Sequence, residues 1–367
     1  MSNSKIKNWW VFPGFELELM AEGLDLPVNL AFVPNPGKDS KSPLLYITEL
    51  YGQIKVITNN WKIHTYAEGL LNYNPAKVFH GKGESGVIGI VVEPQTGDLF
   101  VSMNYEDQGQ IKNKVIRAKS SDGLKMDSSE VIVDNIPSIQ AAHQIQALTI
   151  GFDGKLYINV GDGLVDPKVA QDDNDLRGKI LRMNLDGSIP SDNPKPNSLA
   201  FAKGVRNPFG ACWRKSDQSL YISDNGPEDD DRIAKIKPGE NYGWPESMRR
   251  NSLFWWEFTQ APTAISFMQD NQFSEKYHDE LFVALFGGAY VKGREIKGKK
   301  IIKIRLNKDN TGVLSYDEFV TYIGQGPASP CGLSFGPGGL YFSDLHGEGN
   351  GMIRKPDGNI YRVKQKS

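Results

Sequence analysis

The sequence predicts an all-β protein, a six-bladed β-propeller with four-stranded blades that forms one domain over residues 1–367. Three observations lead to this prediction: amphipathic helical periodicity is nearly absent, short β-rich runs alternate with Gly, Pro, Asn and Asp, and one strand pattern recurs six times. The 38 glycines and 21 prolines indicate many tight turns. Radial repetition of small sheets accommodates these features while leaving only short sheet edges.

The recurring unit is a first strand followed by a second strand that reads L-[YF]-[IV]-[STN], with a weaker fifth copy. The second strands begin about every sixty residues, at Leu45, Leu99, Leu156, Leu220, Leu281 and Leu340. That spacing is typical of propeller blades. The N-terminal run Phe15–Glu22 has no repeat of its own. We therefore expect it to pair with Tyr361–Val363 in the last blade and to close the ring.

Composition excludes several classes of partner. The chain has 42 Lys+Arg against 44 Asp+Glu, and this balance argues against nucleic acid or an anionic membrane surface as a main partner. No run reaches the roughly 18 apolar residues of a membrane span, and no signal peptide is predicted. The sequence leaves the compartment and the oligomeric state open. With only Cys212 and Cys331, neither a disulfide scaffold nor a cysteine-rich zinc site is expected.

Long top-face loops are expected to gather the functional residues at one mouth of the central channel. His143 precedes the third repeat and Asp162 follows its second strand, and a histidine held by a carboxylate is a good general base. Arg206 precedes the fourth repeat and offers a charged donor fork. Gly226 and Pro227 suggest a turn with free carbonyl groups, which are ligands that calcium prefers.

Other acidic residues in the loops have more than one interpretation. Asp172, Asp173 and Asp175 are predicted to be solvated turn formers. The run Glu228–Asp231 assists a calcium ion at Gly226, holds a second structural ion, or forms an exposed acidic turn. The sequence leaves these alternatives open.

A set of motifs in chain order resembles the glucose/sorbosone dehydrogenase family, the soluble quinoprotein sugar dehydrogenases. The motifs are Phe12–Phe15, Gly83–Gly89, His143, Gly161–Asp162, Leu176–Arg182, Gly204–Pro208, Asn225–Pro227 and Gly239–Pro245, the last being the most specific. The ending, with Asp344 and Gly358–Val363, resembles the sorbosone type. The resemblance implies a propeller that oxidises a sugar hydroxyl or aldehyde with pyrroloquinoline quinone (PQQ) and calcium and passes electrons to an acceptor.

The resemblance also implies roles for individual residues. His143 would remove the hydroxyl proton as general base, and Asp162 would orient its ring beside Arg206. The implied cofactor contacts come from Glu84, Arg206, Asn207 and Ser329. The implied calcium ligands are the carbonyl groups of Gly226 and Pro227. In this scheme the cofactor is the electron sink, and the protein supplies the base, the cation site and the orientation.

The fifth and sixth blades depart from the family pattern. Glucose-type members have a lysine after the fifth-blade strand and two arginines before the sixth, where this chain has Ala284–Phe286 and Ala328–Cys331. Sorbosone-type members have H-G-S-W-N-R in the fifth blade, where this chain has Phe286–Val291. Because PQQ carries three carboxylates, we expect weakened binding unless Lys292 or Arg294 substitutes.

Two alternatives therefore accompany the dehydrogenase prediction. One is a metal-assisted propeller hydrolase or lyase in which His143 and Arg206 act without PQQ. The other is a non-catalytic carbohydrate-binding propeller, which is favoured if Phe286 and its neighbours fill the channel.

Overall fold

The fold is that of a computed structural model, which describes residues 2–75, 84–138, 142–287, 292–345 and 356–366. The helices with bounds inside these ranges are α1 (Ser2–Ile6) and the 3-10 helices Pro167–Ala170 and Glu275–Tyr277. Across the same ranges, no helix has the length and apolar character needed to cross a bilayer. Gly83 of the second family motif and residues 288–291 of the fifth-blade segment lie outside the described residues.

Strands dominate the described residues and form six antiparallel sheets. Two strands precede the first blade, β1 (Trp9–Val11) and β2 (Phe15–Leu24). The first blade contains β3 (Pro27–Phe32), β4 (Pro43–Glu49), β5 (Gln53–Thr58) and β6 (Ile63–Ala67). The second contains β7 (Val87–Val92), β8 (Leu99–Asp107), β9 (Gln110–Lys119) and β10 (Ser128–Pro137). The third contains β11 (Ile145–Ile150), β12 (Leu156–Val160), β13 (Lys179–Met183) and β14 (Ala200–Lys203).

The remaining blades follow the same order. The fourth contains β15 (Pro208–Arg214), β16 (Ser219–Asp224), β17 (Arg232–Ile236) and β18 (Phe254–Trp255). The fifth contains β19 (Pro262–Phe267), β20 (Leu281–Leu285), β21 (Lys300–Leu306) and β22 (Val313–Tyr322). The sixth contains β23 (Pro330–Gly336), β24 (Gly339–Asp344) and β25 (Gly358–Gln365), and β2 is its outer strand. The structure is the predicted six-bladed all-β propeller.

The two ends of the chain close the ring. Strand β2 pairs antiparallel with β25, with Leu19 opposite Tyr361, so the predicted closure is confirmed. Strand β1 adds a fifth strand to the fifth blade, with Trp9 opposite Tyr322. The buried Trp9 ring packs edge-on against aromatic rings of the fifth and sixth blades. Sequence patterns did not predict β1, because three residues are too few to show a strand period.

The first strand of each blade lies at the centre of the propeller. β3, β7, β11, β15, β19 and β23 pack against one another in that order, and β23 returns to β3. Beneath the candidate site, these six strands surround a channel cavity of about 430 Å³. Because first and second strands are antiparallel, the start of one and the end of the next meet at the same end of the blade.

The hydroxyl group that ends the repeated motif links neighbouring blades. Thr48, Ser102, Ser223 and Ser343 each accept a backbone N–H from the first strand of their own blade, at 2.8–3.1 Å. Each hydroxyl also donates to a carbonyl of the next blade, those of Ile88, Gln146, Pro262 and Val28 respectively. The approach is close, since a Cβ on Gly89 would lie 2.2 Å from the carbonyl oxygen of Gln146. The side chain at the [STN] position of the repeat therefore forms a hydrogen bond between neighbouring blades.

Candidate functional site

The predicted site residues lie at one end of the blades. His143 is two residues before β11 and Asp162 is two residues after β12. Arg206 and Asn207 lead directly into β15, and Gly226 is two residues after β16. The other predicted residues also precede first strands, Glu84 before β7 and Ser329 before β23. The strand ends thus place side chains from four blades around the same mouth.

His143 and Asp162 form a buried pair. Nδ1 of His143 lies 2.5 Å from Oδ1 of Asp162. Asp162 also accepts hydrogen bonds from the Leu164 amide at 2.9 Å and from Nε1 of Trp244 at 2.8 Å. Burial acts to raise the pKa of Asp162, but these hydrogen bonds outweigh it and the pKa lies below the ordinary value. An ionised Asp162 favours the tautomer with the proton on Nδ1, which leaves Nε2 of His143 as an acceptor.

Glu84 contacts the same histidine from the second blade. Its Oε2 accepts the backbone N–H of His143 at 2.6 Å and lies 3.4 Å from Nδ2 of Asn207. His143 has φ +54°, a backbone conformation uncommon for residues other than glycine. The Glu84 carboxylate therefore holds the His143 backbone in this conformation and joins it to the Asn207 side chain.

Arg206 completes the network on the fourth blade. Its Nη1 donates to the carbonyl groups of Asn225 at 3.0 Å and Gly226 at 2.6 Å. The guanidinium lies 5.4 Å from the centre of the Trp244 ring. The backbone carbonyl of Arg206 accepts the Asp162 N–H at 2.8 Å. Burial lowers the pKa of Arg206, against the opposing effect of the nearby carboxylates. A continuous set of contacts thus connects the His143–Asp162 pair to the turn at Gly226 and Pro227 where calcium is predicted.

A fully buried ion pair lies beneath this network. Oδ2 of Asp224 is 2.6 Å from Nη2 of Arg232, and both side chains are 0% exposed. The other oxygen of Asp224 accepts the Asn207 N–H at 2.7 Å and the Arg206 N–H at 3.2 Å. Arg232 also donates to four backbone carbonyls, those of Gly204, Tyr242, Met248 and Arg250. The pair therefore fixes the segment that carries Arg206 and Asn207.

The predicted calcium turn is held by a different carboxylate. Asp231 is buried and accepts the N–H groups of Gly226, Gln260 and Ala261 at 2.6–2.8 Å. Asp230 pairs instead with Arg249, while Glu228 and Asp229 are exposed. Within the described ranges, no group of three or more His, Cys, Asp or Glu side chains is arranged to hold a metal ion. Within the acidic run, Asp231 thus holds the turn through backbone hydrogen bonds, whereas Glu228 and Asp229 are exposed. Calcium at Gly226 and Pro227 stays a prediction.

The insertion between β12 and β13 is organised by charges. Asp173 pairs with Lys195 at 2.6 Å and with Lys203 at 3.0 Å, and these contacts lower its pKa to about 2. Asp175 pairs with Arg177 within the loop. The buried Lys179 ammonium donates to three loop carbonyls, those of Val169, Ala170 and Arg177. The acidic residues of this loop form turns, as the sequence predicts, but Asp173 and Asp175 also form ion pairs that the sequence did not predict.

The fifth and sixth blades present a different surface. Ser329 is buried, and its N–H donates to Asp344 at 2.8 Å; its described contacts do not join the His143 network. Lys292 and Arg294 are exposed. Apolar side chains from three blades meet here, with Phe286 of the fifth blade packed against them: Leu26, Leu50, Ile88 and Leu345. The structure thus brings Glu84, His143, Asp162, Arg206, Asn207 and Gly226 together, and leaves Ser329 beside an apolar wall.

Sequence reasoning missed two residues of the site. Trp244 contacts Asp162 and Arg206, although the motif Gly239–Pro245 gave it no role. Arg232 was missed because nothing in its local pattern separates a buried arginine from an exposed one. Trp244 could have been found because it lies in Gly239–Pro245, the most specific of the family motifs.

Comparison with known proteins matches the chain to the same family that its motifs resemble. A family model described as Glucose / Sorbosone dehydrogenase matches residues 24–312. Aldose sugar dehydrogenase YliI of Escherichia coli is 25% identical over 326 residues, which cover 80% of this chain and 84% of that protein. Quinoprotein glucose dehydrogenase B of Acinetobacter calcoaceticus is 31% identical over 201 residues, 47% of this chain and 42% of that protein.

A solved structure has the same fold. It is the PQQ-bound form of aldose sugar dehydrogenase from Streptomyces coelicolor. The TM-score is 0.72 at 21% identity, and the match covers 97% of this chain and 100% of that chain. At this identity the likeness establishes the propeller architecture.

Proposed function

The chain belongs to the glucose/sorbosone dehydrogenase family of oxidoreductases, and we propose that it oxidises an aldose-type sugar with PQQ and calcium. The observation that carries the proposal is the buried His143–Asp162 pair, joined by Asp162 and Trp244 to the Arg206 side chain. The printed names of the relatives, an aldose sugar dehydrogenase and a quinoprotein glucose dehydrogenase, support the same substrate class and cofactor.

His143 is the proposed general base. With Nδ1 held by Asp162, its Nε2 is directed away from the buried pair and accepts the proton of the sugar hydroxyl. Oxidation of the carbinol carbon removes that proton and a hydride, and leaves a carbonyl group. PQQ, when bound, supplies the two-electron acceptor for the hydride. Trp244 and Asp162 keep the imidazole oriented, and Glu84 fixes the backbone from which it projects.

Part of the site suits the cofactor. Nε of Arg206 and the Oδ1 atoms of Asn207 and Asn225 are buried and have no hydrogen-bond partner among the described residues. The unpaired Nε–H of Arg206 is a donor that suits a quinone oxygen, and the two unpaired amide oxygens suit a cation, since buried polar atoms are normally paired. Nε of Arg206 and Nδ2 of Asn207 would donate to quinone oxygens, and the carbonyls of Gly226 and Pro227 would hold calcium once the bond from Nη1 of Arg206 to the Gly226 carbonyl opens. Phe286 packs on apolar side chains of the first, second and sixth blades rather than presenting a cation, and this supports the expectation of weaker PQQ binding than in members with the full cationic set.

Reconstitution tests the proposal directly. Purified protein is incubated with PQQ and calcium, and the absorbance of the bound quinone is followed on addition of D-glucose. We expect reduction of the quinone to depend on both calcium and His143. An unchanged quinone spectrum with a panel of aldoses would contradict the dehydrogenase proposal.

Calcium binding has its own measurement. The thermal midpoint is compared in chelator and in added calcium, for the wild-type protein and for a variant in which Gly226 is replaced by alanine. A Cβ at this position would lie 1.8 Å from the carbonyl of Asp229, so the variant displaces the turn. We expect a calcium-dependent increase in the wild-type protein that the variant lacks. No shift in the wild-type protein would favour an exposed turn without a metal.

A further inference from the structure

Gln146 is a buried amide that the proposed mechanism does not use. It lies on β11, three residues after His143, and is 1% exposed. Neither its Nε2 nor its Oε1 has a hydrogen-bond partner among the described residues. An unpaired amide in a folded interior is unfavourable and uncommon. The position therefore needs a reason.

Inter-blade hydrogen bonds show where the Gln146 side chain points. The hydroxyls of Ser343, Thr48 and Ser102 donate to the carbonyls of three residues that hold the same position in the first, second and third blades, namely Val28, Ile88 and Gln146. The Val28 and Ile88 side chains belong to the apolar cluster at the channel mouth, where residues from four blades meet. Residues from four blades can meet only near the propeller axis. By this rotational equivalence Gln146 also faces the channel.

Val28, Ile88 and Gln146 are each the second residue of a first strand, so they form a layer next to the strand ends that carry His143, Asp162 and Arg206. The next residue on the strand, Ala147, lines the cavity of about 430 Å³ below. On the third blade, the side that carries the His143–Asp162 pair, this layer is polar. On the first and second blades it is apolar.

We infer that Gln146 is a binding residue of the central site, whose amide contacts the ligand seated beside His143. The inference rests on the proposed function. A carboxamide supplies two donors and an acceptor, so it suits a ligand oxygen that is a carbonyl, a carboxylate or a hydroxyl. PQQ and a sugar share this chemistry, and separate titrations distinguish them. Bound ligand would pair the amide that the free protein leaves unpaired.

The test compares two buried glutamines on neighbouring positions. Gln146→Met keeps the unbranched shape and removes the amide. Gln144→Met is the matched control, because both polar atoms of the Gln144 amide have partners: its Oε1 accepts from Ser138 and from Asn104 at 3.2 Å, and its Nε2 donates to Ala142 at 2.8 Å. Thermal midpoints are measured without ligand. Dissociation constants are measured by calorimetry for PQQ in saturating calcium, and for D-glucose added to protein loaded with reduced PQQ, which cannot oxidise the sugar.

We expect Gln146→Met to leave the thermal midpoint unchanged or to raise it by a few degrees, while Gln144→Met lowers it. Gln146→Met should weaken binding of one of the two ligands about 3- to 10-fold, and that ligand is the one the amide contacts. Two results would overturn the inference: a midpoint lowered as far as in Gln144→Met, or wild-type affinity for both ligands. Wild-type protein that binds neither ligand contradicts the proposed function instead, and the thermal comparison still tests whether the Gln146 amide is unpaired.

Discussion

Nδ1 of His143 lies 2.5 Å from Oδ1 of Asp162, and the two side chains are 6% and 3% exposed. The same carboxylate binds Nε1 of Trp244, whose ring lies beneath the Arg206 guanidinium. Asp162 and Trp244 thus couple His143, the proposed proton acceptor, to the cationic side chain of Arg206.

Removal of His143 should abolish most turnover without unfolding the protein. In a protein reconstituted with PQQ and calcium, we expect His143→Ala to lower kcat about 100-fold or more, since a positioned general base contributes about that factor. The control is His64→Ala, because His64 is exposed on the outer strand of the first blade. If His143→Ala has full activity on a sugar that the wild-type protein oxidises, the assignment of the base is wrong.

Replacement of Asp162 should affect both turnover and acid stability. Asp162→Asn is expected to lower kcat about 10-fold, because it weakens the control of ring orientation. Hydrogen bonds hold the pKa of Asp162 below its ordinary value, so the native protein favours the ionised carboxylate. Its stabilising contribution is complete above the unfolded pKa of about 3.9 and is lost as pH falls through the native pKa.

Urea unfolding at several pH values measures that contribution. The wild-type protein should have the higher free energy of unfolding near neutral pH, and its advantage over Asp162→Asn should shrink below about pH 4. A difference that stays constant down to the acid transition would show that the carboxylate charge has no role in the pair.

Arg232 should be a major determinant of stability. Arg232→Met leaves Asp224 charged and buried without its partner, which typically costs about 3–5 kcal/mol. Combining it with Asp224→Asn should recover part of the loss, because no unpaired charge remains. The control is Lys119→Met, which removes the half-exposed pair with Glu130 and should change the free energy of unfolding by less than about 1 kcal/mol. Equal effects of the two single changes would contradict a structural role for the buried pair.

The sequence predicted the architecture more completely than the site. The repeat spacing located all six second strands, because alternation and turn residues are local signals. It also placed His143, Asp162 and Arg206 at one mouth, since blade symmetry fixes which strand ends meet. It did not reveal that Glu84 holds the His143 backbone or that Arg232 is fully buried. Those contacts join residues far apart in the chain, and no local pattern encodes them.

PQQ affinity is the last prediction, and Phe286 is the residue that tests its cause. Phe286 follows β20, and its N–H donates to the carbonyl of Ala261, a residue whose own N–H binds Asp231 beside the Gly226 turn. A cation at this position could reach a cofactor carboxylate held near that turn, whereas a phenyl ring offers only its face. Two or three missing charge-assisted contacts weaken binding by a few powers of ten. We therefore expect a PQQ dissociation constant above about 1 µM in saturating calcium.

Phe286→Lys should strengthen PQQ binding about 10-fold, because one charge-assisted contact is restored. Phe152→Lys is the matched control, since Phe152 is 52% exposed in the turn between β11 and β12, at the opposite end of the propeller. Both variants add one positive charge, so a general electrostatic effect would strengthen binding equally in both. Calorimetry separates the outcomes. Sub-micromolar affinity of the wild-type protein would show that residues such as Lys292 or Arg294 already supply the contacts, and Phe286→Lys would then add little.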